Sequence, residues 1–186
     1  MAENPPRLSF LEYGAFMAFA ASCRATCRRK IVGCVLFNIH KVIVSTGYNG
    51  APAGAPQCDE DECLMVNGHC ERITHAEKNA VLFAGKRCPK RGGYAFATTR
   101  PCQRCFDILV SKEIKHIYYL EEYRSEEFDR EQRRICAEKE ITLEKLDTNI
   151  VEIMQKAIKF HQGPGGLLTM KHPLRIEEQF PTDWNE

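Results

Sequence analysis

Two short stretches carry side chains that could do chemistry together: His75-Ala76-Glu77 and Pro101-Cys102-Gln103-Arg104-Cys105. They supply one imidazole, two thiols and a carboxyl group. An imidazole and two thiolates are good zinc ligands, and three protein ligands plus a water make a catalytic zinc site where four would make a structural one. Such a site lowers the pKa of its water toward ~7 and so provides hydroxide without strong base. Glu77 follows His75 by two residues, a spacing that points the two side chains to different sides of a helix. It is therefore poorly placed as a further ligand and well placed to hold the water and move its proton.

These residues need elements that bring them together. Cys102 and Cys105 are three apart, on one face where a helix begins. Pro101 suits a helix start, because its missing N–H would have no intrahelical partner there. The partial positive charge at that end favours thiolate over thiol. His75 opens the preceding helix, so two helix starts are expected to converge on one metal. Taken singly, the motifs have blander readings. A lone Cys-x-x-Cys can be half a structural zinc site or a redox pair, and a lone His-Ala-Glu occurs by chance. Their combination, each opening a helix, points to a catalytic zinc site.

Apolar spacing predicts a helix from Ser9 to about Cys27, with Phe10, Leu11, Phe16, Met17 and Ala20 on its inner side. The β-branched runs Ile31 to Phe37 and Val42 to Thr46 read as a hairpin around Asn38 to Lys41. Gly47 to about Cys70 reads as one long loop, and long ordered loops are usually functional. Beyond it the pattern alternates. Helices are expected at Ala76 to Ala84, Cys102 to Ser111, Ser125 to Lys139 and Asn149 to His161. Strands are expected at Tyr94 to Thr98, His116 to Leu120 and Ile141 to Leu146. This order indicates an α/β sheet with helices on both faces, a single domain over residues 1–161, and an extended tail over 162–186. Phe180 and Trp184 in that tail could dock on a neighbour.

The chain's 186 residues suit one compact domain, and its formal charge of +1 gives no basic field of the kind long nucleic acids require. Two basic clusters are short, Arg28-Arg29-Lys30 and Lys86 to Arg91. The first reads equally as a solvated surface or a pocket for one phosphate. No apolar run approaches the roughly 20 residues that span a bilayer, and the first residues lack the pattern of a secretory signal. A cytoplasmic, reducing setting is the expectation. The ten cysteines then point to metal or catalysis more than to disulfides.

The pairing of His-x-Glu with Pro-Cys-x-x-Cys is the signature of zinc-dependent base deaminases. The stretch Gly47-Tyr48-Asn49-Gly50-Ala51-Pro52-Ala53-Gly54 joins it, with Arg24 to Gly33, His69 to Glu77 and the insert Cys58-Asp-Glu-Asp-Glu-Cys63. Together they resemble the deoxycytidylate (dCMP) deaminase family, in its bacterial and phage branch, over roughly residues 10 to 125. The resemblance implies the three-layer α/β/α cytidine deaminase fold with a mixed five-stranded sheet. It implies hydrolysis of dCMP to dUMP and ammonia by a zinc-bound hydroxide, supplying dUMP for thymidylate synthesis. Metal ligands would be His75, Cys102 and Cys105, with Glu77 as proton shuttle. Substrate contacts would be Asn49 and Ala76, with Arg29 as first candidate for the 5′-phosphate and Arg100, adjacent to the zinc motif, as the second. An amide at Asn49 can donate and accept at once, although Asn-Gly is also a common turn. Arg100 departs from the family, which carries a smaller or uncharged residue there.

The same resemblance implies a second, structural zinc on Cys27, Cys58, Cys63 and Cys70, with His69 as a spare ligand. A staple of this kind suits an irregular loop of little apolar content. Cys23, Cys34, Cys88 and Cys136 read as buried small apolar groups. Family members are often homohexamers activated by dCTP and inhibited by dTTP. This implies an allosteric set of Tyr48, Asn49, Gly50 and Lys86, with Mg2+ accompanying the effector nucleotide. Lys86 stands where some members carry arginine, keeping the charge without the bidentate fork. Rival readings are another deaminase of this fold, acting on tRNA adenosine, guanine or nucleic-acid cytidine, and a noncatalytic zinc-binding interaction module. The first lacks the expected basic or aromatic surface, and the second leaves Glu77 without a purpose.

Overall fold

The computed structural model describes residues 6–52, 54–60, 62–66, 69–89, 92–123, 126–163 and 165–168. The chain runs through helix α1 (Phe10–Ser22), strands β1 (Gly33–Phe37) and β2 (Ile43–Tyr48), and a two-stranded ribbon of β3 (Met65–Val66) and β4 (His69–Cys70). It continues with α2 (Ala76–Ala84), β5 (Tyr94–Thr99), α3 (Gln103–Ser111), β6 (His116–Glu121), α4 (Glu126–Lys139), β7 (Thr142–Lys145) and α5 (Ile150–His161). Among the described residues β2-β1-β5-β6-β7 form one five-stranded sheet. β1 pairs antiparallel with both β2 and β5, whereas β5–β6 and β6–β7 are parallel.

The central strand explains the layering. β1 is buried along its whole length. Its alternate residues Cys34 and Leu36 join Ala80, Phe106, Leu109 and Ile117 in one core, with Ile135 and Cys136 of α4 packed against it. Val35 and Phe37 join Ala15, Ala18, Phe96 and Ile153 in the core on the other face. A strand covered on both faces reads as a continuous apolar run, which is how Ile31 to Phe37 reads in the sequence. The result is the expected α/β/α sandwich, with α2, α3 and α4 on one side and α1 and α5 on the other.

Two glycines set how closely the helices approach the sheet. A Cβ on Gly33 would lie 2.1 Å from the Ala18 carbonyl oxygen of α1. One on Gly47 would lie 2.2 Å from the Ala76 carbonyl oxygen of α2. The Ser45 hydroxyl also donates to the Ala80 carbonyl at 2.6 Å. The start of α2, which carries the His-Ala-Glu motif, is thus seated directly on β2.

Differences from the sequence expectations have local causes. α1 stops at Ser22, and past a short turn the Thr26 N–H goes to the Asn49 carbonyl. β1 begins at Gly33 because residues 30–32 bond to the Asn49 side chain instead of a ladder strand. β2 extends to Tyr48, which pairs with Gly33. The Gly47 to Cys70 segment contains the β3–β4 ribbon, too short to show a sequence period. α2 ends at Ala84 as expected, on Gly85 with φ +53°. No helix among the described residues is long and apolar enough to cross a membrane. Phe180, Trp184 and the rest of the tail beyond residue 168 lie outside the described residues, as do Lys90 and Arg91.

Candidate active site

His75 and Cys102 occupy equivalent places, each capping the N-terminus of a helix in extended backbone conformation without spending its side chain on a cap hydrogen bond. Both side chains are therefore available to each other. The His75 Nδ1 lies 3.6 Å from Cys102 Sγ and 3.4 Å from Cys105 Sγ. The three donor atoms all fall within 4.8 Å of one another. Zinc–nitrogen and zinc–sulfur bonds of about 2.0–2.3 Å put tetrahedral N and S ligands about 3.5 Å apart, so the spacing fits zinc. Three protein donors leave one corner of the tetrahedron for a water or a substrate atom.

The electrostatics agree with this use. The hydrogen bond from Cys105 holds Cys102 down at about 4 against its burial, with His75 adding to the effect. Cys105 is pushed well up, first by its hydrogen bond to Cys102 and then by burial. The hydrogen bond to Cys102 raises His75 against its burial. The pair of sulfurs and the imidazole thus favour one thiolate among them. Glu77 is 4% exposed, and burial pushes its carboxyl above the ordinary value. It comes close enough to the Cys105 thiol to share a hydrogen bond.

These groups open into a cavity of about 290 Å³, at the small end for a ligand pocket. Asn49, Ala76, Arg29 and Arg100 all line it, beside His75, Glu77 and Cys102. Asn49 is buried, accepts at Oδ1 from the Val32 N–H at 2.8 Å and donates from Nδ2 to the Lys30 carbonyl at 2.7 Å. One amide hydrogen and one lone pair of Asn49 remain beyond these bonds. Arg29 reaches Met65 Sδ of the ribbon at 3.6 Å. Arg100, expected to bind phosphate, has its guanidinium against Glu122, Asp129 and Gln132.

Lys30, from the basic cluster singled out in the sequence, also lines the cavity, as do Thr99 and Tyr123, which the sequence did not point to. Lys30 stands next to Arg29 and pairs with Glu121 at 2.5 Å. Thr99 Oγ1 is buried with no hydrogen-bond partner among the described residues. Of the latter two, Thr99 carried a usable signal, at the end of a strand two residues before Pro101. Of the expected allosteric set, Tyr48 and Gly50 adjoin Asn49, and Gly50 forms a two-way backbone bridge with Thr74. Lys86 lies past the far end of α2. Asn79, midway along that helix, donates from Nδ2 to the Tyr48 carbonyl at 2.8 Å.

A second cysteine group sits beside the pocket. Cys58, Cys63 and Cys70 bring their sulfurs within 4.8 Å of one another, with Cys58 and Cys70 3.8 Å apart. Burial and hydrogen bonds from Cys70 and Cys63 push Cys58 up to about 12. Against its burial, the Arg72 backbone N–H and the Cys58 thiol hold Cys70 down. Cys27, named with these residues as a ligand from the sequence, is not among the three sulfurs that lie this close together. It is buried on the pocket wall, which Cys70 also lines, where the turn after α1 places it. The side chain of His69 lies outside the described residues. Cys34 and Cys88 are buried and Cys136 is partly so, as expected, whereas Cys23 is exposed.

The family model described as "Cytidine and deoxycytidylate deaminase zinc-binding region" matches residues 9–121, and the chain belongs to that family. The chain is 32% identical over 153 residues to ComE operon protein 2 of Bacillus subtilis, covering 81% of this chain and 79% of that one. It is 32% identical over 122 residues to the deoxycytidylate deaminase of Mycobacterium phage D29, covering 60% of this chain and 94% of the phage protein. Among solved structures, the dCMP deaminase of cyanophage S-TIM5 in complex with dCMP and dUMP superimposes with a TM-score of 0.61. That match has 26% identity and covers 73% of this chain and 96% of the phage chain.

Proposed function

We propose that this chain is a zinc-dependent dCMP deaminase that converts dCMP and water to dUMP and ammonia, supplying dUMP for thymidylate synthesis. One observation carries the reading: His75, Cys102 and Cys105 form a zinc-sized triad beside a buried Glu77, at a cavity that also holds Asn49 and Arg29. The names of the phage relatives support dCMP as the substrate. Zinc held by the triad supplies the Lewis acidity that makes a water reactive at neutral pH. Glu77 accepts that water's proton, delivers it to the pyrimidine ring nitrogen, and then helps the exocyclic amine leave as ammonia. Burial raises its pKa in the direction a group that both accepts and donates requires.

Asn49 is fixed by the 30–32 backbone and presents its remaining amide hydrogen and lone pair to the nucleotide. Ala76 contributes close backbone at the helix start, and Arg29 binds the 5′-phosphate as a charge-assisted hydrogen-bond donor. With zinc-loaded protein, deoxycytidine should show a kcat/KM about 100-fold below that of dCMP. Arg29→Ala should remove most of this difference by weakening dCMP alone. Equal turnover of deoxycytidine and dCMP by the wild-type protein would sink the phosphate contact.

The Cys58–Cys63–Cys70 group is read as a structural zinc site that staples the long loop, with His69 as candidate fourth ligand. Metal analysis should then find two zincs per chain, falling to one in Cys58→Ser. One zinc in both proteins would reject the second site. The homohexamer, activation by dCTP with Mg2+, inhibition by dTTP and the cytoplasmic setting belong to the same reading and rest on family membership.

A further inference from the structure

We propose that Arg100 is a positioning residue that fastens α4 to the loop carrying Cys102, and that it is not a ligand for the substrate's phosphate. The inference builds on the dCMP reading above. Although Arg100 lines the cavity, its side chain is only 9% exposed, and two of its three guanidinium nitrogens, Nε and Nη1, are already engaged. Nε donates to Gln132 Oε1 at 3.1 Å. Nη1 meets Glu122 Oε2 at 3.3 Å and also pairs with Asp129 Oδ1. The guanidinium carbon lies 5.7 Å from the centre of the Tyr119 ring, and the Tyr119 hydroxyl donates to Glu122 Oε1 at 2.7 Å. Two carboxylates therefore surround one cation. A phosphate dianion approaching Arg100 would meet the negative charge of both carboxylates as well.

The same network leads to the metal ligands. Gln132 is 1% exposed. Its amide is used at both ends: Oε1 accepts from Arg100, and Nε2 donates to the Pro101 carbonyl at 3.0 Å. Pro101 is the residue immediately before Cys102. The Arg100 backbone N–H is held by the Glu121 carbonyl at 2.8 Å, continuing the β5–β6 pairing past the end of β5. The loop between β5 and α3 thus has a backbone tie to β6 and side-chain ties to α4. Arg100 orients Gln132, and Gln132 fixes the carbonyl next to the metal ligand. Displacements of about 1 Å at a reacting site can cost ~10²-fold in rate, so such a tie acts on the chemical step.

Arg100→Lys, Arg100→Ala and Gln132→Met should be compared with wild type in three measurements: steady-state kinetics on dCMP, the same on deoxycytidine, and the rate of zinc loss to a chromogenic chelator. Gln132→Met keeps the buried volume and leaves Arg100 paired with Asp129 and Glu122, so it tests the tie without burying an unpaired charge. The expected result is that all three variants lose zinc faster and lower kcat about 10-fold or more, by the same factor on both substrates. Arg100→Lys should give no rescue, since it lacks the fork. An increase in KM confined to dCMP, with deoxycytidine unaffected and Arg100→Lys near wild type, would overturn the inference in favour of a phosphate ligand. Unchanged zinc loss in both Arg100→Lys and Gln132→Met would also overturn it. Absence of dCMP turnover by the wild-type protein would defeat the substrate reading alone, because zinc loss is measured without substrate.

Discussion

Glu77→Gln is expected to keep its zinc and its fold while turning over dCMP about 10³-fold more slowly than wild type, a magnitude within the range of general acid–base catalysis. The substitution conserves shape and removes only the ability to carry a proton. Glu77 is 4% exposed and its pKa is raised by burial, so its charge is a cost to the folded state. The sign for stability follows directly. Below the ordinary carboxyl value of 4.5 both folded and unfolded forms are protonated and the cost is absent. As pH rises above that value, the unfolded chain releases the proton first and the native state loses stability relative to it. In zinc-free protein the Tm of Glu77→Gln should therefore exceed that of wild type near neutral pH and converge with it below pH 4.5. Equal melting at both pH values, measured by calorimetry, would show that the carboxyl is not buried as described. Wild-type turnover by Glu77→Gln would remove it from the chemistry.

Cys102→Ala is expected to fail for a different reason. Zinc sites in small domains are worth roughly 10–16 kcal/mol, or about 3 kcal/mol for each of four ligands, which corresponds to about 10²-fold in affinity. The loss should be of that order at Cys102, whose hydrogen bonds from Cys105 and His75 favour its thiolate form. Dialysed Cys102→Ala protein should contain no zinc at this site and show no activity. Excess zinc should restore part of the activity, while it should do nothing for Glu77→Gln. The two variants thus separate loss of metal from loss of the proton carrier. If Cys102→Ala retained zinc and rate after dialysis, the triad would not be the catalytic metal site.

The residues that do the chemistry were legible in the sequence because each lies at a helix start, and helix starts are marked. Pro101 precedes one, and α2 is bounded by His75 and by Gly85, whose φ of +53° ends it. β1 was legible as a buried strand because both faces are covered and its residues are apolar in sequence. The segment between β2 and α2 was not. Its ribbon pairs only Met65 with Cys70 and Val66 with His69, and two-residue strands have no period to detect. Cys27 was grouped with Cys58, Cys63 and Cys70, and the turn after α1 carries it to the pocket wall that Cys70 also lines. The role of Arg100 was hidden for a related reason. Its partners Glu122, Asp129 and Gln132 lie on a later loop and on a polar helix, and nothing in that helix's composition marks Gln132 as buried.

The most direct test of the central claim is ammonium release from dCMP by wild-type protein and Glu77→Gln, each loaded with zinc and assayed for metal content in the same sample. Wild type should release one ammonium for each dUMP formed, and Glu77→Gln should carry equal zinc at the His75–Cys102–Cys105 site while releasing ammonium about 10³-fold more slowly. Zinc-replete wild-type protein that leaves dCMP intact would contradict the account.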